Sequence, residues 1–235
     1  MNNRNHRSIV LTSSAALLLG LALALPVTAK DAACPAGRFP ASGQTKAYQA
    51  DINDGVSDNP VDVPDDGTLE AGATLRYRDN KDGTITDLNT KLTWEKKSDD
   101  DSLHDKDNLY NWSFGNDDTI WDWLEDINTE ARTGFAGHND WRIPNVRELQ
   151  SIIDIERSII EDEQIIPAIN PVFNTSCDAG DNVLSGSCTA PIYWSSSSYV
   201  LNPVLAWFVS FLDGTVLQAG KNFGLYVRAV RGGCR

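Results

Sequence analysis

The apolar residues of this chain recur with a different period in each of its regions. Ile9 to Leu25 is a nearly unbroken apolar run behind a short basic start, MNNRNHR, and it ends at Pro26 and the small residues Val27-Thr28-Ala29. This is the pattern of a secretory signal over residues 1–29, because the run is short for a bilayer, carries Ser and Gly, and precedes a cleavage-type site. From Asp31 to about Ala73 no apolar period is sustained and Asp, Gly, Pro and Ser dominate, so residues 30–74 read as an irregular lead segment. Strand-like alternation then begins. Ala73 to Asp79 and Gly83 to Asp87 flank the hairpin dipeptide Asp82-Gly83, and Leu92 and Trp94 alternate with polar neighbours between Lys91 and Lys96.

The period changes to that of helices further on. Ile120, Trp123, Leu124, Ile127 and Ala131 fall on one helical face, with Asp122, Glu125 and Asp126 opposite, so a helix is predicted from about Thr119 to Ala131, capped by Asp118 or Thr119. A second helix starts at Asn145. Glu148 stands three residues on, an Asn form of the capping box, and Val146, Leu149, Ile152 and Ile153 supply the apolar face. After Ile192 the alternation returns: Trp207, Val209 and Phe211 precede an Asp213-Gly214 turn, and Tyr226 to Arg231 alternates again. The chain is therefore expected to be α+β, with two helices and small antiparallel strand units.

Composition narrows the partners. The formal net charge is −13, and loss of Arg4 and Arg7 with the leader makes the exported chain more acidic still. That disfavours nucleic acid and anionic membranes as partners of the whole surface, and no second apolar run is long enough for a membrane span. The four cysteines, Cys34, Cys177, Cys188 and Cys234, form an even set in an exported chain, and four allow three connectivities. The expected pairs are Cys177–Cys188, stapling the Gly/Ser/Asp-rich loop between them, and Cys34–Cys234, tying the two ends of the exported chain. No Cys-x-x-Cys pair points to zinc or to redox chemistry.

Three ordered blocks carry a resemblance: DGTITDLNTKLTWEKK from Asp82, GFAGHNDWRIPNVRELQSIID from Gly134 to Asp154, and YWSSSS, AWFVSFLDG and YVRAVRGG toward the end. They resemble the Lcl C-terminal domain, the C-terminal domain of the Legionella collagen-like protein, although no collagen-like Gly-x-y period is present here. The Trp-Arg-aliphatic-Pro turn before a capped helix, with the later Trp-Ser strand and Val-Arg ending, is also similar to C-type-lectin-like and formylglycine-generating-type domains, and the resemblance implies two helices with small antiparallel sheets and long loops in one disulfide-bonded domain over residues 75–235. The resemblance implies an exported binding or adhesion module whose partner is a glycan or a cell-surface protein. An enzyme of the formylglycine-generating type is the first alternative, weakened because that chemistry needs paired active-site thiols. A passive envelope component is the second.

Several residue groups bear on chemistry. Trp141 and Arg142 have the composition of a binding hot spot, but a Trp ahead of a helix more often fills the core, with Arg142 serving loop carbonyls or a carboxylate such as Asp140; the same core role is expected of Trp194 and Trp207. His138 and Asp140 could orient one another for acid/base work, yet the run GHND is an ordinary turn and no hydrolase elbow or metalloprotease helix accompanies it. Asp79 to Asp87 lacks the offsets of a calcium loop and reads as a hairpin turn, while Asp99, Asp100, Asp101, Asp105 and Asp107 read as a solvated charged loop. No metal ligand set or cofactor motif is identified. The Ser195 to Ser198 run, followed by Tyr199 and Asn202, lies where the resembling lectin-like folds present loops, and Tyr199, Asn202, Asp213, Lys221 and Asn222 are the candidate ligand-binding residues, since hydroxyls, amides and an aromatic face suit sugars.

Overall fold

The computed structural model describes residues 39–46, 49–51, 55–57, 65–113, 118–157, 159–161, 164–175, 177 and 188–233, all within the compact unit Ala33–Arg235. The expected leader and the expected Cys34–Cys234 pair lie outside these residues. Few helices and several small antiparallel sheets make up the unit, so it is α+β. Before the main domain stand β1 (Gln49–Asp51) and β2 (Gly55–Ser57), which pair with each other, and a single helical turn, α1 (Asp66–Leu69). Residues 39–46 are docked along the body: Ala41 N–H donates to Ala73 O, Ala73 N–H donates to Phe39 O, and Ile155 N–H donates to Ser42 O.

The hairpin forms as the Asp-Gly signal requires. β3 (Tyr77–Asp79) and β4 (Thr84–Asp87) are joined by Asn80 to Gly83, and β5 (Leu92–Glu95) extends the sheet. The Asp82 carboxylate caps the turn by accepting from Thr84 N–H and Oγ1–H, while Asp79 accepts from Lys81 N–H and from the Lys96 ammonium at 2.9 Å. These carboxylates therefore serve their own turns. The short β6 (Tyr110–Asn111) follows the acidic loop.

Helix α2 (Ile120–Thr129) starts at Thr119, whose hydroxyl caps Asp122 N–H while the Asp122 carboxylate returns to Thr119 N–H. It ends earlier than the pattern predicts. Ile120, Trp123 and Ile127 are buried, but Ala131 is exposed with a left-handed φ of 47° because the chain has already left the helix. Helix α3 (Val146–Gln150) has the expected Asn145–Glu148 capping box in full, with the Asn145 side chain accepting from Arg147 and Glu148 N–H and Glu148 accepting from Asn145 N–H. It is only five residues long, so Ile152 and Ile153 reach the core from the following turn instead. β7 (Ile159–Glu161) and β8 (Gln164–Ile166) form another small ribbon.

The C-terminal third supplies β9 (Ile192–Ser198), β10 (Leu205–Ser210), β11 (Val216–Gly220), β12 (Gly224–Leu225) and β13 (Val230–Gly232). β9, β10 and β11 make one antiparallel sheet in the order β11-β10-β9; β13 returns to the edge of the first sheet in the order β13-β5-β4-β3; β12 pairs with β6. Strand alternation sets neighbouring residues into separate cores: Tyr193 joins Trp94, Leu149, Phe173 and Phe211, whereas Trp194 joins Trp123, Ile127, Trp141 and Val227. Cys177 and Cys188 are joined as expected, closing their loop with Cα atoms 5.3 Å apart. Among the described residues no helix is long and apolar enough to cross a membrane.

Candidate ligand surface

Two turns meet at one end of the β9-β10-β11 sheet. The first, Tyr199 to Val204, is closed by Asn202 N–H to Tyr199 O and Leu205 N–H to Asn202 O. The second, Lys221 to Phe223, follows β11, and Lys221 N–H donates to Val204 O across the pair. These bonds place Tyr199, Asn202, Lys221 and Asn222 together. Asp213 does not join them: it sits in the turn at the opposite end of the β10–β11 hairpin, roughly 17 Å away at strand rise, with its carboxylate accepting from Thr215 N–H. Thr215 hydrogen bonding accordingly holds that carboxyl below the ordinary range.

Two tryptophans outside the expected set complete the surface. Trp112 is fixed at both ends, donating its backbone N–H to Lys221 O and its indole N–H to Ser195 O at 2.8 Å. Trp121, the first full turn of α2, meets it edge-on at 5.0 Å and remains 39% exposed, whereas Trp123 beside it is buried. The Lys221 ammonium lies 3.9 Å from the centre of the Trp112 ring and donates to Ser198 Oγ at 2.8 Å. Among the described residues it forms no ion pair. Tyr199 stands edge-on to Trp207 at 5.2 Å, so Trp207 lines this half-exposed surface and not the core expected of it. Around the rim Val200, Leu201, Val204 and Phe223 are exposed, an apolar border uncommon in so acidic a chain.

Trp121 carried a legible sign that the periodicity argument passed over: it falls outside the apolar stripe of an amphipathic helix, and a solvent-facing Trp is the informative kind of exposed aromatic. Trp112 carried none, since it stands in an aperiodic stretch.

A second group of polar residues is enclosed. Glu95, fully buried, accepts from the Lys97 ammonium at 3.0 Å, His104 Nδ1 at 2.8 Å and Ala229 N–H at 2.8 Å, and Glu130 lies 3.1 Å from the other nitrogen of His104. Burial pushes the Glu95 carboxyl up, but Lys97 and His104 outweigh it and hold the group down at about 2. For His104, burial opposes the charge and the two glutamates raise its value above the ordinary one. Arg228, also fully buried, donates to Glu95 O and lies between the Tyr193 and Phe173 rings. These charges join β5, the acidic loop, the end of α2 and the C-terminal segment.

The acidic loop is more ordered than its composition implies. Asp105 is buried, because its carboxylate gathers the N–H groups of Asp100, Asp101 and Asp107. Asp99, Asp105 and Asp107 converge closely enough for a cation, but the Lys106 ammonium already lies against Asp99 and Asp107 and supplies the positive charge. His138 is exposed, and Asp140 binds Arg231 at 2.7 Å. Arg142 instead grips Glu148 with both guanidinium arms, at 2.7 and 2.6 Å. Trp141 is a core residue as expected, 3% exposed, with its indole N–H on Phe135 O.

The comparisons agree with the ordered sequence blocks. The model of the Lcl C-terminal domain matches residues 83–231, and the chain belongs to that family. Among curated proteins, none matches the chain.

Proposed function

We propose that this chain is an exported, non-enzymatic attachment module that binds glycans on a cell surface through the surface built by Trp112, Trp121, Tyr199, Asn202 and Lys221. The observation that carries the reading is the Lys221 ammonium, held over Trp112 and against Ser198 beside the half-exposed Trp121. A sugar offers hydroxyls on its rim and C–H groups on its face, and this surface offers an amine, amides and aromatic rings within one rigid frame. The frame itself, short helices and small antiparallel sheets carrying long loops, is compatible with a C-type-lectin-like arrangement. Export, to the periplasm, the cell surface or the medium, is supported by the leader-type N-terminal run and by the disulfide. A formylglycine-generating-type activity is less well supported, since that chemistry needs paired active-site thiols and Cys177 and Cys188 are tied to each other in a disulfide.

The test is a glycan array and a cell-binding assay with the exported form and with Trp121→Ala/Lys221→Met. Wild type should bind, and the variant should lose binding while melting at nearly the wild-type temperature. Binding to a neutral glycan should change little between low and high salt. Undiminished binding by the variant would move the site elsewhere, and a wild type that binds no glycan or cell would favour a passive envelope role.

A further inference from the structure

We propose that two copies of this chain associate through the free edge of β11, pairing antiparallel about Gln218 to make one continuous six-stranded sheet. The phase of the ladder fixes which groups are free. Ser210 N–H donates to Thr215 O and Lys221 N–H donates to Val204 O, so in the alternating antiparallel pattern Thr215, Leu217, Ala219 and Lys221 face β10. Val216, Gln218 and Gly220 consequently direct their backbone groups away from the sheet. Among the described residues, the only bond made there is from Phe223 N–H to Gly220 O.

Edges of this kind are ordinarily guarded by a lysine, a proline or a bulge. β11 reads Val-Leu-Gln-Ala-Gly and has none of these, its one recorded irregularity in the sheet lying on the other side of β10. Lys221, the nearest cation, is drawn back onto Ser198 and Trp112 and does not guard the edge. The opposite border of the sheet is covered, because Trp194 N–H donates to Tyr226 O and Tyr226 N–H donates to Ile192 O, which lays the segment before Val227 along β9.

The occupant is a second copy because the strip matches itself. A two-fold axis at Gln218 sets Gln218 against its own counterpart, Leu217, half exposed, against Ala219 of the second copy, and Val216 against Gly220 of the second copy. Leu217 meets the smaller Ala219, Val216 meets Gly220 and the Phe223 ring that lies over it, and no like charges are brought together. That matters in a chain of net charge −13, where most other surfaces would repel their own copy. A five-residue ladder buries less than the ~1,200 Å² of a stable interface, so the dimer is weak and forms at high local concentration. Its geometry deepens the attachment reading, on which this consequence rests: both Lys221 residues fall on one face of the joined sheet, roughly 20 Å apart along the strand direction, and a surface would be gripped twice.

Sedimentation of the exported protein from about 10 μM to about 1 mM tests the pairing, a range suited to sub-standard interfaces. Wild type should pass reversibly from monomer to dimer. Gln218→Pro, which removes an outward N–H without touching the β10 ladder, and Leu217→Lys, which restores a guard, should both remain monomeric with unchanged far-ultraviolet circular dichroism. Should the proline variant fail to fold, Leu217→Lys decides alone. Lys221→Met should still dimerise. A wild type that is monomeric throughout, or a Leu217→Lys variant that dimerises like it, would overturn the proposal. Retention on a glycan-coated surface should drop in Leu217→Lys while affinity per site in solution stays equal; dimerisation without any glycan binding would uphold the pairing and remove the attachment reading.

Discussion

The Lys221 ammonium sits 3.9 Å above the centre of the Trp112 ring, and the Trp112 backbone N–H donates to Lys221 O. The two residues hold each other by main chain and side chain at once, so the amine is presented in one orientation. An exposed cation–π contact is worth about 0.5–1 kcal/mol, which is small for folding. Lys221→Met should therefore lower denaturant stability by no more than about 1 kcal/mol. Trp112→Ala removes the ring and its bond to Ser195 O, and should lower stability more than Lys221→Met. Both should weaken ligand binding, as read by calorimetry against whichever glycan the array identifies; equal binding by Lys221→Met would take the amine out of the site.

Gly134 and Gly137 bracket a tight turn, and both have left-handed φ angles, 82° and 77°. Their surroundings differ. A Cβ on Gly134 would stand 2.0 Å from His138 O, a backbone atom that cannot step aside, whereas one on Gly137 meets nothing within 4 Å. Gly137→Ala should cost about 1–2 kcal/mol, the left-handed penalty alone. Gly134→Ala should cost clearly more, and equal losses in urea titrations would contradict this difference in surroundings.

Much of this turn and of the following helix was legible because the determinants lie within a few residues of one another. Asn145 and Glu148 form their capping box three positions apart, and Asp82-Gly83 turns its own hairpin. The buried network was not legible for the opposite reason. Glu95 is satisfied by His104, nine residues on, and by Ala229 N–H, 134 residues on, and no local period registers a pairing made by β13 returning beside β5. The site was half legible. Turn composition selected Tyr199, Asn202, Lys221 and Asn222 but selected Asp213 equally, and only the length of β10 separates them. Trp207 was misassigned because alternation predicts which face a residue occupies, not whether that face is covered along its whole length.

Glu95 and His104 give stability opposite pH slopes. The Glu95 carboxyl is depressed to about 2, so its contribution is present above the unfolded value of about 4.5 and is lost as pH falls toward 2. His104 is raised, so its contribution is complete below its unfolded value of about 6.5 and is lost as pH rises through the folded value above it. Stability from this pair should peak between about pH 4.5 and 6.5. Urea titrations from pH 4 to 9 should show wild type losing stability above neutrality, and His104→Gln should flatten that alkaline limb. A parallel decline in both proteins would assign the slope to other groups.

Trp141 is 3% exposed, lies against Phe135 at 5.2 Å, and is clamped by the Asn128 side chain, which accepts from Trp141 N–H and donates to Trp141 O. Trp141→Ala should lower stability by roughly 3–5 kcal/mol, the range for truncating a core aromatic. Asn128→Ala should also destabilise, by leaving two backbone groups of Trp141 without their partner. Unchanged unfolding of Trp141→Ala would return this residue to the surface.

Glu148 serves two elements. It caps α3 by accepting from Asn145 N–H, and it takes both arms of Arg142, whose backbone exchanges hydrogen bonds with Val230 on β13. One carboxylate thus couples the start of a helix to the edge of a sheet. Asn145→Ala removes only the forward half of the cap and should cost about 1 kcal/mol. Glu148→Ala should exceed that, because the return bond and the bidentate pair are lost together, and Glu148→Gln should fall between the two by keeping an acceptor without the charge. A double-mutant cycle of Arg142→Ala with Glu148→Ala should give a coupling of about 0.5–1 kcal/mol, the upper part of the range for partly exposed pairs, shrinking in high salt. A coupling of zero would leave Arg142 held to β13 by its backbone bonds alone and reduce Glu148 to its capping role.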